Sequence, residues 1–389
     1  MEFAYCALER VIFKESCTKA LPRLMSSLGY ERPFFVASHT LAEKTGSLSA
    51  LRQALPQEIA GLNSSIRPHT PREDALNLLN QVRESEADVI ISVGGGSVID
   101  ACKFVQLAIG QGLKDESEIL EYAQHGNGSK GSSYGDFRLF SSNEAIRQIA
   151  IPTTLSGAEF SNNAGVLNTG SGNKEGYIGP RLCPQAIVYD PELARNTPPW
   201  LWLSTAIRSL DHAIEGYCSG HSSAYLDAHF LHSMTIFSQS LPAVKVAQNN
   251  VIAVDLNQQA VWLACCGLGT VPHGASHGIG YILGALCGVP HGQTSCVMLP
   301  AVLQWNAEFL GERGPAISAA MGKESQEAHD VVKALIARLG LPTSLKQLRV
   351  PRKKLREIAD RAYSHPVVRR NPRSIGTPAD VREILELAW

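Results

Sequence analysis

The sequence of 389 residues lacks the features that mark membrane, secreted and nucleic-acid-binding proteins. It has no uncharged apolar run of about 18 residues, the length that a membrane-spanning helix requires. Its first ten residues include Glu2, Glu9 and Arg10 instead of the apolar stretch of a secretory signal. The formal net charge is −1, so no excess of basic residues can attract nucleic acid or an anionic membrane. We therefore expect a cytoplasmic protein that binds neither nucleic acid nor membrane.

The cysteines also lack a pattern that would indicate disulfides or a zinc site. Nine are scattered along the chain, and no CxxC pair or regular framework is present. Free thiols in a reducing compartment are the expected state. With 44% hydrophobic and 18% charged residues, the composition is that of a globular protein, and the length predicts two domains.

Short apolar runs alternate with helical spacing in the first half of the chain. Residues 33–38 and 88–93 are rich in aromatic and β-branched side chains and predict buried strands. Residues 72–87 and 98–108 have the apolar spacing of helices, and strands resume at 148–151 and 186–189. This alternation predicts a parallel sheet with right-handed helical crossovers, as in a Rossmann-like α/β domain.

Residues 111–145 interrupt this alternation. The stretch 125–133 is polar, rich in glycine and serine, and has no apolar periodicity, so we expect a flexible loop inserted in the domain. A lid over a binding site and a surface loop without function are both compatible with this composition.

From Pro198 onward nearly every periodic segment favours helix, and boundaries are expected at Leu341-Pro342 and Val350-Pro351. The predicted fold is therefore an α/β domain over residues 1–192, with the loop at 111–145, followed by an all-α domain over residues 193–389. The helical segments are expected at 201–218, 224–248, 257–268, 301–309, 327–339 and 355–362.

A glycine turn joins the strand that ends at Val93 to the next helix. Gly94, Gly95 and Gly96 let the main chain approach an anion closely, and Ser97 can cap the helix or donate to a phosphate oxygen. The unpaired N–H groups and dipole of the helix favour a diphosphate there. A tight strand–helix turn without a ligand would have the same residues. The segment Pro152–Glu159, which also follows a strand and carries three hydroxyls, favours the dinucleotide interpretation.

Histidines recur in the helical half, at His212, His273, His277 and His291. Neutral imidazoles bind zinc and iron well, so several of them in one domain are a candidate metal centre. Any one of them alone is more often a satisfied core or surface residue.

Taken together, these segments resemble the iron-containing alcohol dehydrogenase family, which shares its fold with dehydroquinate synthase. The resemblance extends over residues 5–389, and the tail from Asn371 to Trp389 is most similar to the maleylacetate reductase branch. The segments that carry it, in the family's order, are Gly94–Ser97 with Asp100 and Lys103, Pro152–Glu159, Asp190–Leu193, His212–Tyr217, His277-Gly278, Pro290–Gly292 and Leu299-Pro300.

This resemblance implies an active site in the cleft between the two domains, NAD(P)H as the cofactor and a homodimer. The glycine turn would bind the pyrophosphate, with Asp100 nearby, and Thr153, Thr154 and Lys174 would line the cofactor site. Ser38 stands where many members carry an Asp that would repel a 2′-phosphate, so NADP is compatible with this chain as well as NAD.

Two departures from the family pattern concern the metal and the proton relay. Members that bind metal use an Asp four residues before the first His, and Arg208 occupies that position here. A permanent cation on the same helix face as His212 repels a divalent ion, so the resemblance favours no metal. Zinc or iron, if bound, would be held by His212, His277 and His291. Tyr281 replaces the second His of the family's HGxxH motif and is a poorer base near pH 7.

We weigh three functions. The first is an NAD(P)H-dependent reductase of a small carbonyl or enone acid, without metal, in which Arg208 binds a substrate carboxylate or polarises the carbonyl while His212, His277, Tyr281 and His291 supply hydrogen bonds. An ion pair of Arg208 with Asp211 or Glu215 would be a purely structural alternative. The second function is a dehydratase, lyase, isomerase or cyclase on the same fold. The third, a non-catalytic dinucleotide-binding protein, fits least because so many polar pocket positions are filled.

Overall fold

A computed structural model describes residues 5–124 and 146–389 of the chain. These residues form two compact units, one that ends at Asn196 and one that runs from Thr197 to Trp389. Within the described ranges, no helix combines the length and the apolar character needed to cross a membrane.

The first unit contains all the described strands, which lie in two sheets. The larger sheet has the order β1-β9-β6-β4-β2-β3, and all its neighbouring strands are parallel. The smaller, antiparallel sheet has the order β5-β8-β7. The strands are β1 Arg10–Ile12, β2 Pro33–Ala37, β3 Gly61–Asn63, β4 Val89–Gly94, β5 Ala123–Gln124, β6 Arg147–Pro152, β7 Asn163–Asn168, β8 Asn173–Ile178 and β9 Ala186–Val188.

The helices of this unit cover both faces of the parallel sheet. They are α1 Cys17–Leu28, α2 His39–Lys44, α3 Ser47–Gln53, α4 Arg72–Glu84, α5 Gly96–Gly110, α6 Glu116–Leu120 and α7 Pro191–Ala194. Phe34 and Ile90 pack with α4 and α5 in one core cluster, while their neighbours Phe35 and Ile91 pack with α1 and α3 in another. Alternate side chains of each strand thus enter opposite cores, so the strands are apolar throughout. The predicted doubly covered α/β architecture is confirmed.

The predicted loop at residues 111–145 is wrong in its first part. Residues 116–120 form α6, whose N-terminal Asp115 side chain accepts a hydrogen bond from the Glu118 N–H at 3.0 Å. Strand β5 then pairs antiparallel with β8. The local sequence is polar because both elements lie at the edge of the unit, where only Ile119, Tyr122 and Ala123 are buried. The glycine-rich stretch 125–133 lies outside the described residues.

The second unit is helical in all its described elements, as expected. Its helices are α8 Pro199–Cys218, α9 Ala224–Val246, α10 Val251–Cys265, α11 Ala275–Cys287, α12 His291–Asn306, α13 Arg313–Ala320, α14 Ala328–Arg338, α15 Leu355–Ser364 and α16 Pro378–Leu387. Helix α12 begins ten residues before the predicted start at 301, and α11, α13 and α16 were not predicted. Helices α11, α12, α15 and α16 share one apolar core.

Candidate active site

The glycine turn connects β4 to α5 as the sequence predicts. Gly95 is the residue before the helix, and no side chain caps the helix there. A β-carbon on Gly95 would lie 2.9 Å from Thr154 Cγ2, and one on Gly96 would lie 3.1 Å from Ser156 Oγ. The Thr153 N–H donates to the Gly94 carbonyl at 3.0 Å. The structure therefore brings the glycine turn and the hydroxyl segment after β6 into direct contact.

Ser97 has a different local role from the predicted helix cap. It lies inside the first turn of α5, because the helix begins at Gly96. Its hydroxyl oxygen accepts the His69 N–H at 3.0 Å, and its carbonyl accepts the Thr70 hydroxyl at 3.0 Å. Ser97 thus fixes the chain before α4 against the glycine turn.

Asp100 and Lys174 meet around Gly165 on β7. The Asp100 carboxylate accepts the Gly165 N–H at 3.1 Å. A β-carbon on Gly165 would lie 2.3 Å from Lys174 Cε and 3.5 Å from Asp100 Oδ2. Lys103, one turn further along α5, is completely buried and donates to Ser161 Oγ and the Asn163 carbonyl, both at 3.0 Å. Lys103 therefore links α5 to Ser161 and Asn163, whereas Asp100 and Lys174 lie at Gly165.

Ser38 adjoins the same turn from β2. Its N–H donates to the Val93 carbonyl at 3.0 Å, and its nitrogen lies 3.5 Å from where a β-carbon on Gly94 would be. Its side chain does not cap α2. Ser38, Thr153 and Thr154 thus lie against the glycine turn, whereas Asp100 and Lys174 meet at Gly165; their role in cofactor binding stays a prediction.

Glu159, at the end of the hydroxyl segment, is a functional candidate that the sequence analysis named only as part of a motif. Its side chain is fully buried and accepts the Tyr189 hydroxyl. Burial raises the pKa of this carboxyl to about 7. The group is therefore largely protonated below neutral pH and charged above it.

Replacing Glu159 by Gln is expected to make the stability less dependent on pH. The raised pKa means that the folded state binds the proton more tightly than the unfolded chain, so this stabilisation is full below pH 4.5 and is lost as the pH rises through about 7. This shift of the Glu159 pKa corresponds to about 3 kcal/mol in the free energy of unfolding between low and high pH. Urea unfolding at pH 5 and pH 8 should show a smaller difference for Glu159→Gln than for the wild type. The exposed Glu58→Gln variant is the control, and equal pH slopes for all three proteins would contradict the prediction.

In the helical unit, three imidazoles lie together on α8 and at the start of α11. The ring centroids of His212 and His277 are 4.4 Å apart, those of His212 and His273 4.7 Å, and those of His273 and His277 4.2 Å. One nitrogen from each ring lies within 4.8 Å of the others. His291 lies instead beside Tyr281, at a centroid distance of 6.1 Å.

The expected trio of His212, His277 and His291 stays a prediction. The structure adds His273, which lies four residues before His277 and beside both His212 and His277. Glycine at position 274 allows the main chain next to His273 to approach Glu215, because a β-carbon there would lie 2.9 Å from Glu215 Oε1.

Glu215 is the carboxylate that organises this cluster, and the sequence analysis gave it no such role. It accepts the N–H groups of Gly274 and Ser276 at 2.9 and 2.7 Å, and His277 Nδ1 lies 2.7 Å away. Glu215 thus holds the N-terminal turn of α11 and orients the His277 ring. Burial, and next the charge of Asp211, raise the pKa of Glu215.

Asp211 is a second buried carboxyl next to His277. It accepts the hydroxyls of Ser276 and Ser295 at 2.8 and 2.7 Å, and burial raises its pKa. Burial, followed by the charge of Arg208, lowers the pKa of His277 well below its usual value. His277 is therefore neutral, and its Nδ1 shares a hydrogen bond with Glu215. Its buried Nε2 has no hydrogen-bond partner in the described part of the chain.

Arg208 lies one turn before His212 on α8 and is almost completely buried, with 7% of its surface exposed. Its guanidinium donates to Ser295 Oγ at 3.2 Å and lies over the Tyr281 ring, 5.4 Å from the centroid. Within residues 5–124 and 146–389 no ion pair joins it to Asp211 or Glu215, although its charge acts on Asp211 and opposes the effect of burial on the pKa of that carboxyl. Arg208 places a permanent cation beside Tyr281 and the imidazoles.

The imidazoles of the histidine cluster favour metal binding, whereas the charge of Arg208 opposes it. Three neutral imidazoles, one of them oriented by a carboxylate, are ligands that zinc or iron accepts. However, the Arg208 charge acts on the same imidazoles: after burial, it is the second cause that lowers the pKa of both His273 and His277. A divalent ion would be repelled by the same charge.

Comparison with known proteins supports a relationship along the whole chain. The family model "Iron-containing alcohol dehydrogenase" matches residues 9–191, and "Fe-containing alcohol dehydrogenase family, C-terminal" matches residues 202–389. Dehydrogenase FUM7 of Gibberella moniliformis is 30% identical over 399 aligned residues, covering 93% of this chain and 91% of that protein. Maleylacetate reductase 1 of Rhodococcus opacus is 28% identical over 381 residues, covering 98% and 94%.

A solved structure supports the fold. Sulfoacetaldehyde reductase from Bifidobacterium kashiwanohense, in complex with NAD+, superposes with a TM-score of 0.86 at 21% identity, covering 100% of this chain and 99% of that one. The relatives are dehydrogenases and reductases, which confirms the prediction of an oxidoreductase and gives the non-redox alternative no support. The chain belongs to the iron-containing alcohol dehydrogenase family.

Proposed function

We propose that this enzyme uses NAD(P)H to reduce a small, anionic carbonyl or enone acid, and that Arg208 supplies the positive charge that other members obtain from a metal. The observation that carries this proposal is the buried guanidinium of Arg208, which lies between Ser295 and the Tyr281 ring beside three neutral imidazoles. A buried cation that forms no ion pair with a carboxylate among the described residues is a strong binding group for an anion. A carboxylate or a carbonyl oxygen of a substrate would satisfy it.

The first unit is proposed to bind the dinucleotide at the glycine turn. Gly95 and Gly96 are half-buried at the start of α5, where the dipole of the helix favours the pyrophosphate. Ser38, Asp100, Thr153 and Lys174 lie around this turn, and a serine at position 38 is compatible with NADP as well as NAD. The bound cofactor supplies a hydride. The complex of a relative with NAD+ is consistent with this assignment.

The helical unit is proposed to bind and polarise the substrate. Arg208 would hold the carboxylate by two parallel hydrogen bonds, or stabilise the negative charge that develops on the carbonyl oxygen. Burial raises the pKa of Tyr281, so its hydroxyl stays protonated and can donate a proton to that oxygen. Burial and the charge of Arg208 keep His277 neutral, Glu215 orients its ring, and its Nε2 can take part in a hydrogen bond with the substrate. His212 and His291 flank these groups.

Spectroscopy of the purified protein tests the proposal. Addition of NADPH or NADH should change the fluorescence of the reduced nicotinamide, and small 3-oxo or enone acids should cause loss of its absorbance. Turnover of such an acid with no change in nicotinamide absorbance would contradict it. Elemental analysis should find much less than one zinc or iron per chain. We also propose that the enzyme is a cytoplasmic homodimer, which sedimentation and cell fractionation would test.

A further inference from the structure

Two cysteines distant in sequence meet at the single helical turn of residues 158–160. Cys183 Sγ lies 3.1 Å from the Glu159 carbonyl oxygen, and Cys6 Sγ lies 3.5 Å from the next carbonyl, that of Phe160. The two sulfurs therefore contact adjacent carbonyls of the same turn. The preceding carbonyl, that of Ala158, accepts the Lys103 ammonium. Three successive carbonyls of this turn are therefore held by Lys103, Cys183 and Cys6.

The main chain around both cysteines is held in register. The Arg147 guanidinium donates to the Ala7 carbonyl at 2.8 Å and to the Cys183 carbonyl at 3.1 Å. The Glu9 N–H donates to the Gln185 carbonyl at 2.8 Å. Because these bonds join the residues next to Cys6 to the residues next to Cys183, the two sulfurs stay close together.

The two thiols differ in reactivity. Cys183 is fully buried, whereas Cys6 is partly exposed. The neighbouring Cys183 lowers the pKa of the Cys6 thiol, and the nearby Lys103 charge acts in the same direction. Cys6 is therefore the thiol that a small oxidant can reach and that ionises more readily.

We propose that Cys6 and Cys183 are an oxidisable thiol pair, and that their disulfide weakens dinucleotide binding. The Cys6 thiolate attacks a low-molecular-weight disulfide such as oxidised glutathione, which forms a mixed disulfide and releases one thiolate. The Cys183 thiolate then attacks the Cys6 sulfur and releases the second. Two protein thiols lose two electrons and two protons, and one small disulfide becomes two thiols.

The effect on the cofactor follows from the position of the turn, and it rests on the proposed function. Oxidation removes the S–H donors of the Glu159 and Phe160 carbonyls. The same turn packs on the start of α5, because Ser156 Oγ and Ala158 Cβ lie 3.1 and 3.5 Å from where a β-carbon on Gly96 would be. Displacement of the turn is thus transmitted to the glycines proposed to hold the pyrophosphate.

Peptide mapping without reduction tests the pair directly. The full-length protein is equilibrated with mixtures of reduced and oxidised glutathione, its thiols are blocked and trypsin is added. Cleavage after Arg10, Arg181 and Arg195 should yield peptide 1–10 joined to peptide 182–195. Dithiothreitol should release it. Absence of this cross-linked species at every glutathione ratio would overturn the proposal.

The second measurement is the Kd for NADPH of the reduced and the oxidised protein. We expect a rise of about tenfold on oxidation, absent in Cys6→Ser and Cys183→Ser and retained in Cys287→Ser, whose thiol is in the other unit. Formation of the disulfide with an unchanged Kd would overturn the regulatory role. A reduced protein that binds no dinucleotide, yet forms the cross-link, would instead count against the proposed function.

Discussion

Replacing Arg208 by methionine is expected to lower kcat/KM for a keto or enone acid by about 10²–10³-fold. Methionine fills a similar volume but cannot donate hydrogen bonds, so the substrate loses the buried cation that lies beside Tyr281. Arg208→Lys keeps the positive charge but cannot form the bidentate hydrogen bond of a guanidinium. Its kcat/KM should therefore lie between those of the wild type and Arg208→Met. Steady-state kinetics with the dinucleotide held at saturation measures the effect.

The choice of substrate separates the two roles of Arg208. If the guanidinium binds the substrate carboxylate, the methyl ester of the acid should be a poor substrate of the wild type and should lose little further in Arg208→Met. If it polarises the carbonyl, both the acid and the ester should lose kcat. The control is Arg352→Met, because Arg352 is an exposed residue paired with Glu386. Wild-type kinetics in Arg208→Met with both substrates would rule out either role.

The same position tests the metal question. Arg208→Asp removes the cation and places a carboxylate one turn before His212, next to the three clustered imidazoles. This variant should bind zinc with a stoichiometry near one per chain, measured by calorimetry on protein freed of metal. A wild type that binds zinc equally well would show that Arg208 does not exclude the ion.

Replacing Gly95 by alanine is expected to weaken dinucleotide binding by about 10–100-fold. The added methyl would lie 2.9 Å from Thr154 Cγ2 and 3.1 Å from Thr154 Oγ1, so either the turn or the segment after β6 must shift. Both elements are proposed to contact the pyrophosphate. The Kd for NADPH, determined by fluorescence titration, measures the change.

Gly170→Ala is the matched control in the same unit. Gly170 lies in the turn between β7 and β8, where the nearest atom to an added β-carbon, Asn168 Oδ1, is 3.4 Å away. This variant should bind NADPH like the wild type. Thermal unfolding of both variants separates a local effect from general instability. Unchanged affinity in a well-folded Gly95→Ala protein would place the pyrophosphate elsewhere.

Much of the first unit was predictable because its signals are local. Strands buried on both faces are continuous apolar runs, and 88–93 ends directly at the glycines, so β4 and the start of α5 could be located from residue order alone. The β7–β8 hairpin was missed. Its strands place only Ala164, Val166 and Tyr177 in the core and carry asparagines at both ends of β7 and at the start of β8, so the apolar alternation is too short to predict a strand from sequence.

Helix α11 was missed for a related reason. It contains Gly278, Gly280 and Gly284, residues that reduce helix propensity. Its neighbours require them: a β-carbon on Gly278 would lie 2.4 Å from Val368 Cγ2, and one on Gly280 would lie 2.9 Å from Thr294 Oγ1. Close packing overrides propensity here, and a single sequence does not show which neighbour will be close.

Local sequence patterns predicted the strands and helices that flank the glycine turn, most helices of the second unit, the family resemblance and Arg208 at the position where a metal ligand is expected. Only the tertiary structure decided that His273 joins His212 and His277, that Glu215 orients His277, and that Cys6 meets Cys183. The physical reason is distance along the chain. Periodicity and turns are set by residues a few positions apart, whereas these contacts join residues up to 177 positions apart and depend on how whole elements pack.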